Sequence, residues 1–138
     1  MILRVMIVED EDMIRNGLVK TLPWADMGCT VIGSAGDGKS GLEQIIERRP
    51  DVVITDIRMP EMDGFEMLER ALAVYRFHII IFTSYAEFDY AQKAISIHAY
   101  DYLLKPLDEK RLAELLARIR ETEEPQEQLE TPGSFSAE

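Results

Sequence analysis

The feature that most constrains the fold is a run of branched apolar residues that ends in an acid. Residues 52–56 read Val-Val-Ile-Thr-Asp, and Pro60 and Gly64 interrupt the loop behind them. An unbroken apolar run is typical of a parallel strand that is covered by helices on both faces. Asp56 then lies at the carboxyl end of this strand, the edge where open α/β sheets bind ligands. The sequence therefore predicts a reachable carboxylate on a rigid edge.

Short apolar runs alternate with helical patterns along the chain. The predicted strands are residues 3–8, 29–33, 51–55, 78–82 and 100–104. The first helix opens in the acidic cluster at 9–12 and stops before Pro23, and the fourth is predicted over 86–97. Five βα units of this size predict an α/β fold, a doubly wound five-stranded parallel sheet with five helices on its two faces.

Length and charge limit the classes of function. A chain of 138 residues suits one domain, and its net charge of −11 argues against nucleic acid binding by this domain itself. No apolar run approaches the roughly 20 residues of a membrane span, and no secretory signal opens the chain. We predict a folded domain over 1–121 and a disordered linker or tail over 122–138, where Glu, Gln, Pro and Ser dominate. Cys29 is predicted to be a small buried apolar side chain.

Polar residues follow four of the predicted strands at the same edge of the sheet. They are Glu9 and Asp10, Asp56, Thr83 and Ser84, and Lys105. Clustered carboxylates repel one another, and a divalent cation with oxygen ligands, Mg²⁺ above all, relieves that repulsion. A lysine and a hydroxyl beside them suit a phosphoryl group. Together these residue types predict an aspartyl-phosphate site.

Four motifs, agreeing in order and spacing, resemble the receiver domain of two-component response regulators. They are Val-Glu-Asp-Glu at 8–11, Thr-Asp-Ile-Arg-Met-Pro-Glu-Met-Asp-Gly at 55–64, Phe-Thr-Ser at 82–84 and Tyr-Leu-Leu-Lys-Pro at 102–106. The resemblance covers residues 1 to about 121. It implies a flavodoxin-like fold with strand order 2-1-3-4-5. It also implies that Asp56 accepts a phosphoryl group from a sensor histidine kinase.

The resemblance also assigns roles to the remaining site residues. It implies Mg²⁺ as cofactor, with Glu9, Asp10, Asp56 and the backbone carbonyl of Arg58 as ligands. Lys105 would contact the phosphoryl group, and the Lys105–Pro106 bond would be cis. Thr83 and Tyr102 would form the conformational switch. Such a domain is no enzyme in the usual sense, because it catalyses only its own phosphorylation and dephosphorylation.

Further sequence similarities indicate a subgroup of receiver domains and the partners that such domains have. The strings at 84–91 and 99–106, with Trp24 after the first helix, resemble receivers joined to AraC-type helix-turn-helix domains. The implied protein is a cytoplasmic transcription regulator whose DNA-binding output domain is missing from this chain, and the polar segment at its end favours an excised domain over a stand-alone regulator. Phe88 and Tyr90 predict a homodimer face on helix 4, strand 5 and helix 5.

Two features depart from this reading. Residues 33–40, Gly-Ser-Ala-Gly-Asp-Gly-Lys-Ser, match the phosphate loop of nucleotide-binding proteins, so a P-loop protein is the alternative. The match follows the second strand rather than the first, and it leaves the other strand ends without a purpose. His98 stands where receivers usually have Gly, and His enters the left-handed backbone region less readily. The family pattern therefore does not define the end of the fourth helix.

Overall fold

A computed structural model describes residues 1–123, which form a five-stranded parallel sheet in the order β2-β1-β3-β4-β5. The strands are β1 (Leu3–Val8), β2 (Cys29–Ala35), β3 (Val52–Thr55), β4 (His78–Thr83) and β5 (Asp101–Leu104). The helices are α1 (Asp12–Thr21), α2 (Gly38–Arg48), α3 (Gly64–Leu72), α4 (Phe88–Ser96) and α5 (Glu109–Glu123). The predicted doubly wound fold and strand order are confirmed. None of the helices in residues 1–123 is long and apolar enough to cross a membrane.

The sheet has a hydrophobic core on each face because successive strand residues point to opposite sides. One core joins alternate residues of β1, β3 and β4 to Leu18 of α1 and to the apolar stripe of α5. The other joins the remaining strand residues to α2, to α3 and to Ala94 of α4. The central strands are buried on both faces except at Arg4 of β1, as their apolar runs predict.

Several element boundaries differ from the prediction. β2 continues two residues further, to Ala35, because pairing with β1 holds polar positions in the strand. α1 begins at Asp12, the last residue of the acidic cluster, as predicted, and residues 9–11 form the loop that leaves β1. α4 spans Phe88–Ser96, one turn shorter than expected. The strand β1 is as predicted.

The end of α4 shows how the chain accommodates His98. His98 adopts the left-handed conformation, with φ of 59°, that glycine usually supplies there. The backbone turn is therefore kept although the residue is unfavourable for it. α5 runs to Glu123, two residues beyond the predicted domain end. The rest of the predicted tail lies outside the described residues.

Candidate functional site

The carboxyl ends of β1, β3, β4 and β5 meet at one edge of the sheet. Val8 pairs with Thr55, so the acids that follow these two strands are neighbours. Thr83 pairs with Leu104, and the amide of Lys105 donates to the carbonyl of Thr83 at 2.8 Å. The structure thus brings together the residues that the sequence places at the strand ends.

Asp56 is held by hydrogen bonds to both carboxylate oxygens. Its Oδ1 accepts the backbone N–H of Ile57 at 2.6 Å, and its Oδ2 accepts Nζ of Lys105 at 2.9 Å. The side chain is only 8% exposed. Gly64 packs directly beneath, where a Cβ would collide with the carbonyl oxygen of Asp56. The loop after β3 therefore needs glycine at this position for the carboxylate to be placed correctly.

Lys105 joins two carboxylates. Its Nζ lies 2.9 Å from Asp56 Oδ2 and 2.8 Å from Glu9 Oε1, with Glu11 Oε1 at 3.8 Å. Burial by itself lowers the pKa of Lys105, but the hydrogen bond to Asp56 and the close carboxylate of Glu9 more than offset it and raise that pKa. Lys105 is therefore a permanent cation in this site. The Lys105–Pro106 bond is cis, as the resemblance implies.

Glu9, Asp10 and Asp56 can share one cation. Each offers a carboxylate oxygen, and the three oxygens lie within 4.8 Å of one another. Glu9 is 1% exposed, and burial raises its pKa despite the nearby Lys105. Its Oε1 approaches Lys105 outside hydrogen-bond angles, and within residues 1–123 it is the buried side-chain oxygen left without a hydrogen bond. A buried oxygen of this kind, beside two further carboxylates, fits a hard divalent cation.

Arg15 is a site residue that the sequence reasoning missed. Its Nη1 donates to the backbone carbonyl of Glu9 at 2.7 Å, and its Nη2 pairs with Asp12 Oδ1 at 2.6 Å. The guanidinium thereby ties the loop after β1 to the first turn of α1. The one sequence signal was the i,i+3 spacing of Asp12 and Arg15, which by itself indicates only a surface ion pair.

Thr83 and Tyr102, the predicted switch pair, both contact the backbone of Tyr85. Thr83 is fully buried, and its Oγ1 lies 3.4 Å from the amide nitrogen of Tyr85. The hydroxyl of Tyr102 donates to the carbonyl oxygen of Tyr85. Burial raises the pKa of Tyr102, so this hydroxyl is a donor at neutral pH. The two residues are linked through one loop residue, and their switching role stays a prediction.

Arg58 extends from the Asp56 loop to the next βα unit. Its guanidinium bonds the Glu87 carboxylate and the Tyr90 hydroxyl, both at 2.8 Å. The Arg58 backbone carbonyl remains a predicted metal ligand. No sequence pattern indicated that Glu87 and Tyr90 contact Arg58, because 29 and 32 residues separate them from it.

The segment 33–40 does not form a phosphate-binding loop. Its first three residues belong to β2 and pair with Met6, Ile7 and Val8 of β1. The backbone N–H of Ser40 donates to the Asp37 side chain at 2.7 Å, so Asp37 is the N-cap of α2. A phosphate loop needs free backbone N–H groups that converge on an anion, and here a carboxylate occupies the helix start. The P-loop alternative is therefore not supported.

Comparisons with known proteins agree with this geometry. Residues 5–117 match the family model described as response regulator receiver domain. The transcriptional regulatory protein HptR from Staphylococcus aureus strain N315 is 40% identical over 119 residues, which are 86% of this chain and 47% of HptR. An uncharacterized transcriptional regulatory protein, YesN from Bacillus subtilis, is 33% identical over 84% of this chain and 32% of its own length. The chain thus spans half or less of the length of these relatives.

Solved structures show the same relationship. The receiver domain of AraT, a response regulator from Geobacillus stearothermophilus, superposes with a TM-score of 0.80 at 39% identity, covering 88% of this chain and 95% of that chain. A CheY-like receiver domain protein from Methanospirillum hungatei gives 0.78 at 26% identity, covering 89% and 98%. Family match, relatives and fold agree, and the chain belongs to the response regulator receiver domain family.

Proposed function

We propose that Asp56 accepts a phosphoryl group from a phosphohistidine of a sensor histidine kinase. The observation that carries this proposal is the placement of Asp56 between Lys105, at 2.9 Å, and two further carboxylates. In the reaction the P–N bond to the imidazole breaks, and an Asp56 oxygen forms the new P–O bond. The result is an aspartyl phosphate, which this domain forms and hydrolyses only on itself.

Each neighbour of Asp56 has a task in this proposal. Glu9, Asp10, Asp56 and the Arg58 carbonyl would hold Mg²⁺, which when bound neutralises charge on the phosphoryl oxygens. The Lys105 ammonium would move from the Asp56 carboxylate to a phosphoryl oxygen, which keeps its charge paired. Thr83 is buried at the end of β4, the strand paired with β3, and would donate its hydroxyl to another phosphoryl oxygen.

Intact-protein mass spectrometry with acetyl phosphate and Mg²⁺ tests the acceptor. We expect one phosphoryl group on the wild type and none on Asp56→Ala. A matched control is Asp26→Ala, which removes an exposed acid far from the strand ends and should leave labelling unchanged. Undiminished labelling of Asp56→Ala, or labelling that persists after Mg²⁺ is chelated, would overturn the assignment.

We further propose that the domain controls transcription. HptR and YesN are named transcriptional regulatory proteins and are at least twice as long as the matched region. The receiver, over residues 1–121, would signal to a DNA-binding domain, of AraC type by the strings at 84–91 and 99–106, through the segment from 122 onward. A regulator of this kind works beside the chromosome, so we propose a cytoplasmic protein.

A homodimer is proposed through the surface of α4, β5 and α5. Phe88 and Ile95 are 72% and 74% exposed on α4, and Leu104 is half exposed on β5. An ion pair between Arg111 and Asp101, at 2.6 Å, lies at the rim of this surface. An apolar centre with a charged rim is typical of a protein interface. Tyr90, expected to contribute, is instead half-buried and bonded to Arg58.

Sedimentation with and without beryllofluoride, a phosphoryl mimic, tests the dimer. We expect association of the wild type with beryllofluoride and its loss in Ile95→Ser. Met13→Ser, which removes an even more exposed apolar residue on α1, should behave as the wild type. A wild-type protein that stays monomeric at high concentration would exclude the dimer and leave a signal to the output domain within one chain.

A further inference from the structure

The side chain of Arg58 links the phosphorylation loop to the start of α4. Its Nη2 lies 2.8 Å from Glu87 Oε2, and its Nε lies 2.8 Å from the Tyr90 hydroxyl. The guanidinium carbon sits 3.8 Å from the centre of the Tyr85 ring. One planar cation is therefore held by a carboxylate, a hydroxyl and an aromatic face, all from residues 85–90.

This arrangement is more specific than an ordinary surface ion pair. Arg58 and Glu87 are each about half exposed, and an exposed pair alone contributes little to stability. The guanidinium here also stacks on Tyr85 and donates to Tyr90, and its planar shape allows all three contacts at once. Tyr85 and Tyr90 contact each other edge to face, with ring centres 6.5 Å apart. The contacts therefore form one connected group.

The group includes the residue that both predicted switch residues touch. Tyr85 accepts a hydrogen bond from Tyr102 through its carbonyl oxygen, and its amide nitrogen lies 3.4 Å from Thr83 Oγ1. Movement of the Thr83 hydroxyl toward a phosphoryl group on Asp56 either breaks this 3.4 Å contact or shifts the backbone of Tyr85, so the surroundings of Tyr85 change in both cases. A movement of Tyr85 in turn changes its stacking on Arg58. The contacts of the Arg58 side chain thus depend, through Tyr85, on the conformations of Thr83 and Tyr102.

Helix α4, which begins next to these contacts, buries few residues against the rest of the domain. Ala94 is the buried residue of α4, whereas α3 buries five residues. Phe88 and Ile95 are largely exposed to solvent. A helix with so little buried surface has a low free-energy cost of displacement, so contacts at its first turn have a large influence on its position.

We propose that the Arg58 side chain is a latch that holds the β4–α4 loop and the start of α4 in the unphosphorylated arrangement. The proposal rests on phosphorylation at Asp56 as the signal. A ligand shifts a two-state equilibrium only by its different affinities for the two states. Contacts with Glu87, Tyr90 and Tyr85 stabilise the resting state, so part of the free energy of phosphorylation is used to release them. Arg58 acts through its neighbours and is a positioning residue.

Titration of beryllofluoride in the presence of Mg²⁺, followed by amide NMR shifts of residues 83–96, tests the latch. Arg58→Ala keeps the backbone carbonyl and removes the side chain. We expect it to bind beryllofluoride about fivefold more tightly than the wild type, a change at the low end of couplings between sites. Tyr90→Phe, which removes only the hydroxyl, should bind more tightly by a smaller factor. The double variant should bind no more tightly than Arg58→Ala.

Arg70→Ala is the matched control. Arg70 pairs with Glu66 at 2.7 Å on α3, is similarly exposed, and makes no hydrogen bond, ion pair or ring contact with residues 85–90. Its beryllofluoride affinity should equal that of the wild type. Unchanged or weaker binding by Arg58→Ala, or equal tightening by Arg70→Ala, would overturn the latch while leaving phosphorylation at Asp56 intact. A wild type that binds no beryllofluoride would overturn both proposals.

Discussion

Replacing Lys105 by Met removes the cation that lies between Glu9 and Asp56. Nζ of Lys105 lies 2.8 Å from Glu9 and 2.9 Å from Asp56, and both carboxylates are nearly inaccessible to solvent. Met keeps the length and the apolar stem of the side chain but leaves these acids without compensation. Because Lys105 contacts two buried carboxylates rather than one, its loss affects two desolvated groups at once.

Removal of one partner from a buried charge pair costs roughly 3–5 kcal/mol of folding free energy. The Lys105 side chain is 11% exposed and the site opens to water, so we expect the low end, about 3 kcal/mol, in EDTA. For a domain of this size that loss corresponds to a decrease in Tm of about 10 °C. The loss of folding free energy in Lys105→Met should be smaller at low pH. The raised pKa of Glu9 means that its folded state favours the proton, and protonation removes the uncompensated charge.

Mg²⁺ should reduce the difference in the free energy of unfolding between Lys105→Met and the wild type. A cation present at ten times its Kd stabilises the folded state by about 1.4 kcal/mol. The variant should gain more than the wild type, because Lys105 no longer repels the ion from its carboxylate ligands. Two unit charges 4 Å apart interact by about 1 to 4 kcal/mol over the range from bulk water to a protein surface.

Urea unfolding at pH 5, 7 and 8, with EDTA or with Mg²⁺, measures these differences. Lys110→Met is the matched control, since Lys110 is an exposed lysine on α5, and it should change stability by less than about 0.5 kcal/mol. The reasoning that Lys105 compensates the charges of Glu9 and Asp56 would be refuted if Lys105→Met lost no more free energy of unfolding than the control. It would also be refuted if Mg²⁺ did not change the difference in free energy of unfolding between Lys105→Met and the wild type.

Three further predictions test the packing, the thiol and the rejected nucleotide site. Gly64→Ala should destabilise the fold by about 2 kcal/mol in urea unfolding, because the new Cβ collides with the Asp56 carbonyl; a neutral change would contradict that contact. Burial raises the pKa of Cys29 to about 11, so iodoacetamide at pH 8 should react on the order of a hundredfold more slowly than with the unfolded chain, and equal rates would disprove it. Calorimetry should detect no ATP binding to the wild type, and micromolar binding that Lys39→Ala abolishes would restore the P-loop alternative.

The sequence by itself determined the fold class and the position of the acceptor. The apolar run of β3, and that of β1 apart from Arg4, could only be buried on both faces, so the positions of these strands to within one residue and their acidic ends followed from local pattern. Asp56 and Lys105 were predicted at one edge because the carboxyl ends of parallel strands meet there. The structure confirms that juxtaposition at 2.9 Å. Their chemical roles stay proposals, supported by the family to which the chain belongs.

Edge and surface elements were predicted less well. β2 includes Gly33 and Ser34, which have weak strand preference, and only pairing with β1 keeps them extended. The same pairing with β1 excludes the phosphate-binding loop that the sequence of residues 33–40 resembles. α4 buries so little surface that its ends depend on neighbouring loops, and His98 adopts a glycine-like conformation because the chain must turn there.

Contacts between distant residues were decided only by the tertiary structure. The contacts of Arg58 with Glu87 and Tyr90 join residues from different βα units, and no periodicity connects such positions. The burial of Glu9, with an oxygen left without a hydrogen bond, likewise arises from packing around the strand end. Local pattern determines which residues form a strand or a helix, because those interactions are local. Which side chains meet at its end depends on how the elements pack together.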